Sequence, residues 1–133
     1  MKLTSRSEYA LLALVYLARQ DTREYIPVEA IAAAQGIPSK FLEQIMLVLK
    51  HARCLRSRRG QYGGYCLAKP ADKIALAEII RVFDGALAPT ESVSRYFHGS
   101  TPIQREEKLV RVFQDIRDDV SMKLEKITLA DVC

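Results

Sequence analysis

The chain has 133 residues, 49% of them hydrophobic, which is enough for one domain with a real core and excludes a disordered chain. No apolar run reaches the roughly 18 residues of a membrane span, and the N-terminus lacks the layout of a secretion signal, so a cytoplasmic protein with no membrane contact is expected. The net charge is only +4, yet residues 1–73 carry 12 Lys+Arg against 6 Asp+Glu while residues 74–133 carry 8 against 10, so a polyanion partner is expected for the first half alone.

Ser5-Arg6-Ser7-Glu8 reads as a capping box that opens a first helix running to about Arg19. Leu11, Leu12, Leu14, Val15, Leu17 and Ala18 give that helix a wide apolar face, and it is expected to be core. Asp21 to Tyr25 is a polar link. Pro27 suits the start of a short second helix, and Gly36 suits its left-handed end. Pro38 opens a third helix, expected to reach Arg53. A short helix, a glycine turn and another helix make a helix-turn-helix. Phe41, Leu42, Ile45, Met46 and Leu49 fall on its inward face at 3- and 4-residue spacings. Ser39, Lys40, Glu43, Gln44 and Lys50 are left outward, the first of them within the turns where a recognition helix meets base edges.

From Lys50 to Arg59 the chain places five basic residues (Lys50, Arg53, Arg56, Arg58, Arg59) and no acid. Leu55 and Ser57, then Tyr65 and Leu67, alternate as two short strands around Arg59-Gly60-Gln61-Tyr62-Gly63-Gly64. Glycine permits a tight turn and a close approach, and arginine fits phosphates and guanine edges. These residues suit the wing of a winged helix-turn-helix; they also suit a plain β-hairpin with a solvated basic tip. A connector containing Pro70 leads to a fourth helix, about Leu76 to Asp84, ended by Gly85.

Ala86 to Pro102 is irregular, the kind of loop that often carries function. A long helix follows, from about Gln104 to Lys126. Its stripe Leu109, Phe113, Ile116 and Val120 is expected to pack on the first helix and on a second copy of the chain. Thr128 is expected to cap a last turn. Ile74-Ala75-Leu76-Ala77-Glu78-Ile79 echoes Ile127-Thr128-Leu129-Ala130-Asp131-Val132, too short a match to be a repeat. The fold class is therefore mainly α: a winged helix-turn-helix DNA-binding region over 1–73, with a two-stranded wing, and a helical dimerisation region over 74–133 containing the loop at about 86–102.

Taken together, Leu3-Thr4-Ser5, Tyr9-Ala10, Gln35-Gly36-Ile37, Phe41-Leu42-Glu43-Gln44, Arg59-Gly60, Gly63-Gly64-Tyr65 and Ile127-Thr128-Leu129 carry a resemblance over nearly the whole chain. It resembles the winged-helix regulators that include the iron–sulfur cluster regulator IscR and the nitric-oxide-sensitive repressor NsrR, the Rrf-two family. The resemblance implies a homodimeric transcriptional repressor on a near-palindromic operator, with a redox or iron–sulfur signal as one option. It implies Ser39, Lys40, Phe41 and Gln44 in the major groove, Arg59 at the wing tip, and Glu43 as an acid that tunes base preference. Lys50, Arg56, Arg58 and Tyr65 complete the candidate DNA contacts.

Cluster-bearing relatives place three cysteines in the loop before the dimer helix. Here that loop reads Glu91-Ser92-Val93-Ser94-Arg95-Tyr96-Phe97-His98, and clusters want thiolates, so no cofactor and no metal is expected. Cys54 and Cys66, at the wing strands, are expected to be buried thiols, and Cys133 an exposed one; these three are the candidate redox residues. Arg53 stands where the family carries a glycine after the third helix. His51 and His98 join no catalytic constellation, and neither a P-loop nor a dinucleotide fingerprint is present, so no enzyme is expected. A winged-helix protein-interaction module without DNA binding is the alternative function.

Overall fold

The computed structural model describes residues 1–20, 23–95 and 99–133. Among the described residues six α-helices and one β-hairpin follow in order: α1 (Ser5–Arg19), α2 (Val28–Gln35), α3 (Ser39–His51), β1 (Leu55–Arg58), β2 (Gly64–Leu67), α4 (Leu76–Asp84), α5 (Glu107–Lys126) and α6 (Leu129–Val132). The fold is the expected winged helix-turn-helix with a two-stranded wing, and the helix ends decide how its parts meet.

The cap of α1 is Thr4, not Ser5. Thr4 is extended, and its hydroxyl accepts from the Ser7 amide at 3.3 Å. The reason lies across the fold. The Asp84 carboxylate, at the last residue of α4, takes hydrogen bonds from the Thr4 hydroxyl (2.5 Å) and the buried Ser7 hydroxyl (2.7 Å). A carboxylate at a helix N-terminus meets unpaired amides and the positive end of the dipole. The start of α1 is thereby tied to the end of α4.

Gly36 ends α2 in the left-handed conformation, φ +65°, and turns the chain into α3. The third helix is shorter than expected: it stops at His51, with Ala52 as its cap. Arg53 takes the left-handed position, φ +65°, and is the one non-glycine residue with positive φ among the described residues. Its amide donates to the Lys50 carbonyl (2.9 Å) and the Cys54 amide to the Leu49 carbonyl (3.0 Å). These paired bonds are a Schellman ending, which usually takes glycine at that place. The turn delivers the chain directly into β1.

In the hairpin Leu55 pairs with Leu67, Arg56 with Cys66, Ser57 with Tyr65 and Arg58 with Gly64. A third segment joins it: Ile26 and Tyr65 exchange amide–carbonyl bonds of 2.9 and 2.8 Å. Gly64, φ +145°, makes that possible, because a Cβ there would collide with the Ile26 carbonyl.

One core joins α1, α2 and α3 to the second half of the chain. Leu14, Ile31, Leu42, Ile45, Met46 and Leu49 are buried together with Ile74, Ile79 and Leu129. Each such side chain contributes on the order of 1.5–3 kcal/mol by leaving water. The two echoing hexapeptides meet here. Ala75 and Thr128 form an antiparallel bridge; Leu76 donates to the Ile127 carbonyl (2.9 Å) and Leu129 to the Ile74 carbonyl (3.0 Å). Each segment then starts a helix, so the echo is a local two-fold pairing rather than a repeat. Thr128 caps α6 in a capping box with Asp131, as expected.

The irregular stretch 86–102 contains a 3-10 turn at Glu91–Val93, and another, Pro102–Arg105, leads to α5. The long helix packs on α4 rather than on α1 as its in-chain partner. Leu124 covers Ala77, Ile80 and Leu87, and Arg81 pairs with Glu125. The apolar stripe suggested packing on α1, but it is α4 and α6 that pack against α1 from this half of the chain. No helix among the described residues is long and apolar enough to cross a membrane.

Candidate nucleic-acid interface

Helix α3 sorts its residues sharply. Leu42, Ile45, Met46 and Leu49 are fully buried. Ser39, Lys40, Glu43, Gln44 and Lys50 are exposed on the other side, as their spacing required. Phe41 departs from the inward place its spacing suggested: it is 53% exposed and touches only the edge of the fold, its ring 6.3 Å from Tyr9. Phe41 lies in the first turn of α3, where the core no longer covers its side of the helix. Its exposed ring stands with the outward polar residues, where it can meet a thymine methyl. Leu47, 50% exposed, lies one turn after Gln44 on the same face. Sequence reasoning passed over it, although its i+3 relation to Gln44 was the available clue.

The wing continues this surface. Arg56, Arg58 and Arg59 are exposed, and Gly60 (φ +101°) turns the tip, where the Gly63 amide bonds to the Gly60 carbonyl at 3.0 Å. Tyr62 projects from the tip, 81% exposed, and was not singled out from the sequence. Arg58 is held lower down: its guanidinium lies over the Tyr25 ring, 4.6 Å from the centroid. Tyr65 is half-buried against the core, and burial, reinforced by the Glu43 charge, raises its phenol pKa. Its ring packs on the core, with only part of it available to a partner.

The cysteines differ from one another. Cys54 is buried, its thiol 3.6 Å from the Glu78 carboxylate, which Lys69 also holds at 2.7 Å. Burial first, then the Glu78 charge, pushes the Cys54 thiol up to about 11. Cys66 is only half-buried, because it lies on the face of the hairpin away from the core; Cys133 is exposed. On α5, Leu109 and Ile116 are exposed and Phe113 and Val120 half-buried, with Val112 extending the stripe. That helix has no buried residue.

The family model described as "Rrf2: Iron-dependent Transcriptional regulator" matches residues 3–133. The chain belongs to the Rrf2 family. Its Rrf2 relatives include a Mycobacterium tuberculosis chain that carries the name of an HTH-type transcriptional regulator, 37% identical over 99% of this chain and 81% of the relative. The HTH-type transcriptional regulator CymR of Bacillus subtilis is 31% identical over 99% of this chain and 89% of its own. The solved structure of that CymR, described as a global cysteine regulator, superposes with a TM-score of 0.79, covering 99% of this chain and 95% of the other. IscR of Erwinia tasmaniensis is 31% identical over 99% of this chain and 78% of its own. The protein is thus a DNA-binding transcriptional regulator of the winged helix-turn-helix class, among relatives named as regulators rather than enzymes.

The family description names iron, and the loop before α5 is a poor match for an iron–sulfur cluster. Ser92 accepts a hydrogen bond from the Thr101 hydroxyl (2.7 Å), and Thr101 in turn accepts from Thr90 (3.3 Å). Arg95 and Arg117 both pair with Asp118, whose carboxyl the Arg117 hydrogen bond chiefly holds below its usual range. Neutral hydroxyls and guanidiniums do not ligate iron as thiolates do. Among the described residues no group of three His, Cys, Asp or Glu is placed to hold a metal ion. His98 lies outside the described residues.

Proposed function

We propose that the protein is a homodimeric repressor that reads a near-palindromic operator. In this reading Ser39, Lys40, Phe41 and Gln44 enter the major groove, Glu43 tunes base preference, and Arg59 reaches the minor groove or a phosphate beside it. Lys50 and Arg58 supply phosphate contacts. The observation that carries it is the division of α3: a fully buried face locks the helix, its other face is exposed, and the exposed arginines of the wing follow it in the chain. Dimerisation is supported by α5, which leaves Leu109, Val112 and Ile116 in solvent. Contiguous exposed apolar side chains mark interaction surfaces. A two-fold dimer presents two recognition helices to two half-sites. Repression follows from occupancy: a dimer filling two grooves excludes other proteins from that DNA.

No cluster is assigned to the family's loop, because its residues lack thiolates. Cys54 makes a poor redox sensor, since its thiol is both covered and hard to ionise.

Selection from a random-sequence duplex pool would define the operator. Titrations at several salt concentrations should then show a steep loss of affinity with salt, as released counterions require. Gln44→Ala should cost about 1–3 kcal/mol of discrimination between the selected site and a mutated one. Enrichment of no sequence, with no salt-dependent binding, would leave a protein-interaction module instead.

A further inference from the structure

Behind the wing, on the side away from α3, lies a groove of about 540 Å³ between the C-terminal end of α1, the segment around Ile26, and β2 with its continuation. It belongs neither to the recognition helix nor to the α5 stripe. Its volume is in the range of sites that take small organic ligands. Leu17, Ile26 and Leu67 line its apolar part. At its rim stand Arg23, Arg56 and Lys69, against one acid, Glu24, among the described lining residues. Lys69 is shared with Glu78, at 2.7 Å, but an ammonium has three donors and this one is still a third exposed. Arg56 is exposed and directly opposite Cys66 in the hairpin register, so both residues address the same space.

We infer that this groove binds a small amphipathic organic anion, an apolar body carrying one carboxylate. Charge complementarity selects an anion of single charge: with Lys69 paired to Glu78, the described rim keeps Arg23 and Arg56 against Glu24. The half-buried Tyr25 and Cys66 select an organic body: an inorganic phosphate or a DNA backbone would meet the rim and leave them uncovered. The carboxylate lies on Arg56, whose planar fork suits it, with Lys69 or Arg23 as the second cation. The hydrocarbon lies along Tyr25 and Cys66.

Octanoate is the probe, octanol its uncharged control, and inorganic phosphate the bare-anion control. In the Cys133→Ser protein, bound octanoate should slow iodoacetamide alkylation of Cys66, read by peptide mass, while Cys54 stays unlabelled throughout. Calorimetry without DNA should show saturable octanoate binding that Arg56→Gln weakens about tenfold, the scale of a lost charge-assisted pair. Cys66→Leu, which adds carbon into the groove, should weaken it as well, with an unchanged circular dichroism spectrum. Octanol binding as tightly as octanoate, phosphate protecting Cys66 as well, or binding that leaves Cys66 unprotected and ignores Arg56→Gln would overturn the assignment. Because no DNA is present, failure here leaves the operator titrations untouched, and their failure leaves this site standing.

Discussion

Arg53 is the residue on which the junction between recognition helix and wing is strained. Its φ of +65° is the conformation in which a side chain costs an L-residue about 1–2 kcal/mol. Arg53→Gly removes that cost and adds back about 0.4–1 kcal/mol of unfolded-chain entropy. The net expectation is a gain of roughly 0.5–1 kcal/mol, or about 2–5 °C in Tm for a chain of this size. Arg53→Ala keeps the strain and removes the same charge, so it should stay near the parent. The order Gly above Ala inverts what an interior helix position gives. Urea unfolding at one fixed protein concentration is the assay, since the proposed dimer would make stability concentration-dependent. If glycine is no better than alanine, the left-handed geometry at residue 53 is not the cost inferred here. The hydrogen bonds to Lys50 and Leu49 would then be holding the turn without strain.

Ile116→Glu puts a charge in the centre of the exposed α5 stripe; sedimentation should show monomer, with a folded circular dichroism spectrum and lost operator affinity, and a stable dimer would place the interface elsewhere. Gly64→Ala must push Ile26 away from β2, so the two Ile26–Tyr65 hydrogen bonds should be lost and stability should fall by about 2 kcal/mol or more; an unchanged urea midpoint would contradict the close approach. The Cys54 thiol titrates higher in the folded chain, about 11 against an ordinary 9.0, so its contribution is complete below pH 9 and is lost as pH rises from 9 to 11. Over that window the parent should lose on the order of 2 kcal/mol more stability than Cys54→Ala, and equal slopes would deny the burial effect.

Local chemistry was legible in the chain. Gly36 and Gly85 ended helices where they stand, since few other residues enter those turns cheaply. The 3- and 4-residue spacing of Leu42, Ile45, Met46 and Leu49 named the buried face of α3, and the residues between them named the outward one. Arg59 to Gly64 announced a tight basic turn. Alternation of Leu55, Ser57, Tyr65 and Leu67 placed the strands.

What depended on distant partners was not legible. Thr4 displaced Ser5 as cap because Asp84, eighty residues on, lies across from it. Phe41 has the spacing of a core residue and is exposed, because periodicity states which side a residue faces but not whether that side is still covered at the helix end. Cys66 and Cys54 looked alike as thiols at the wing strands; only the fold put Cys54 in the turn between α3 and β1, buried beside Glu78 of α4, and Cys66 within β2 opposite the exposed Arg56. The echo of residues 74–79 in 127–132 became meaningful only when the chain folded back to pair them. Spacing and turn chemistry act over a few residues and can be read in order along a chain, whereas coverage of a surface is a sum over segments brought together by the whole fold.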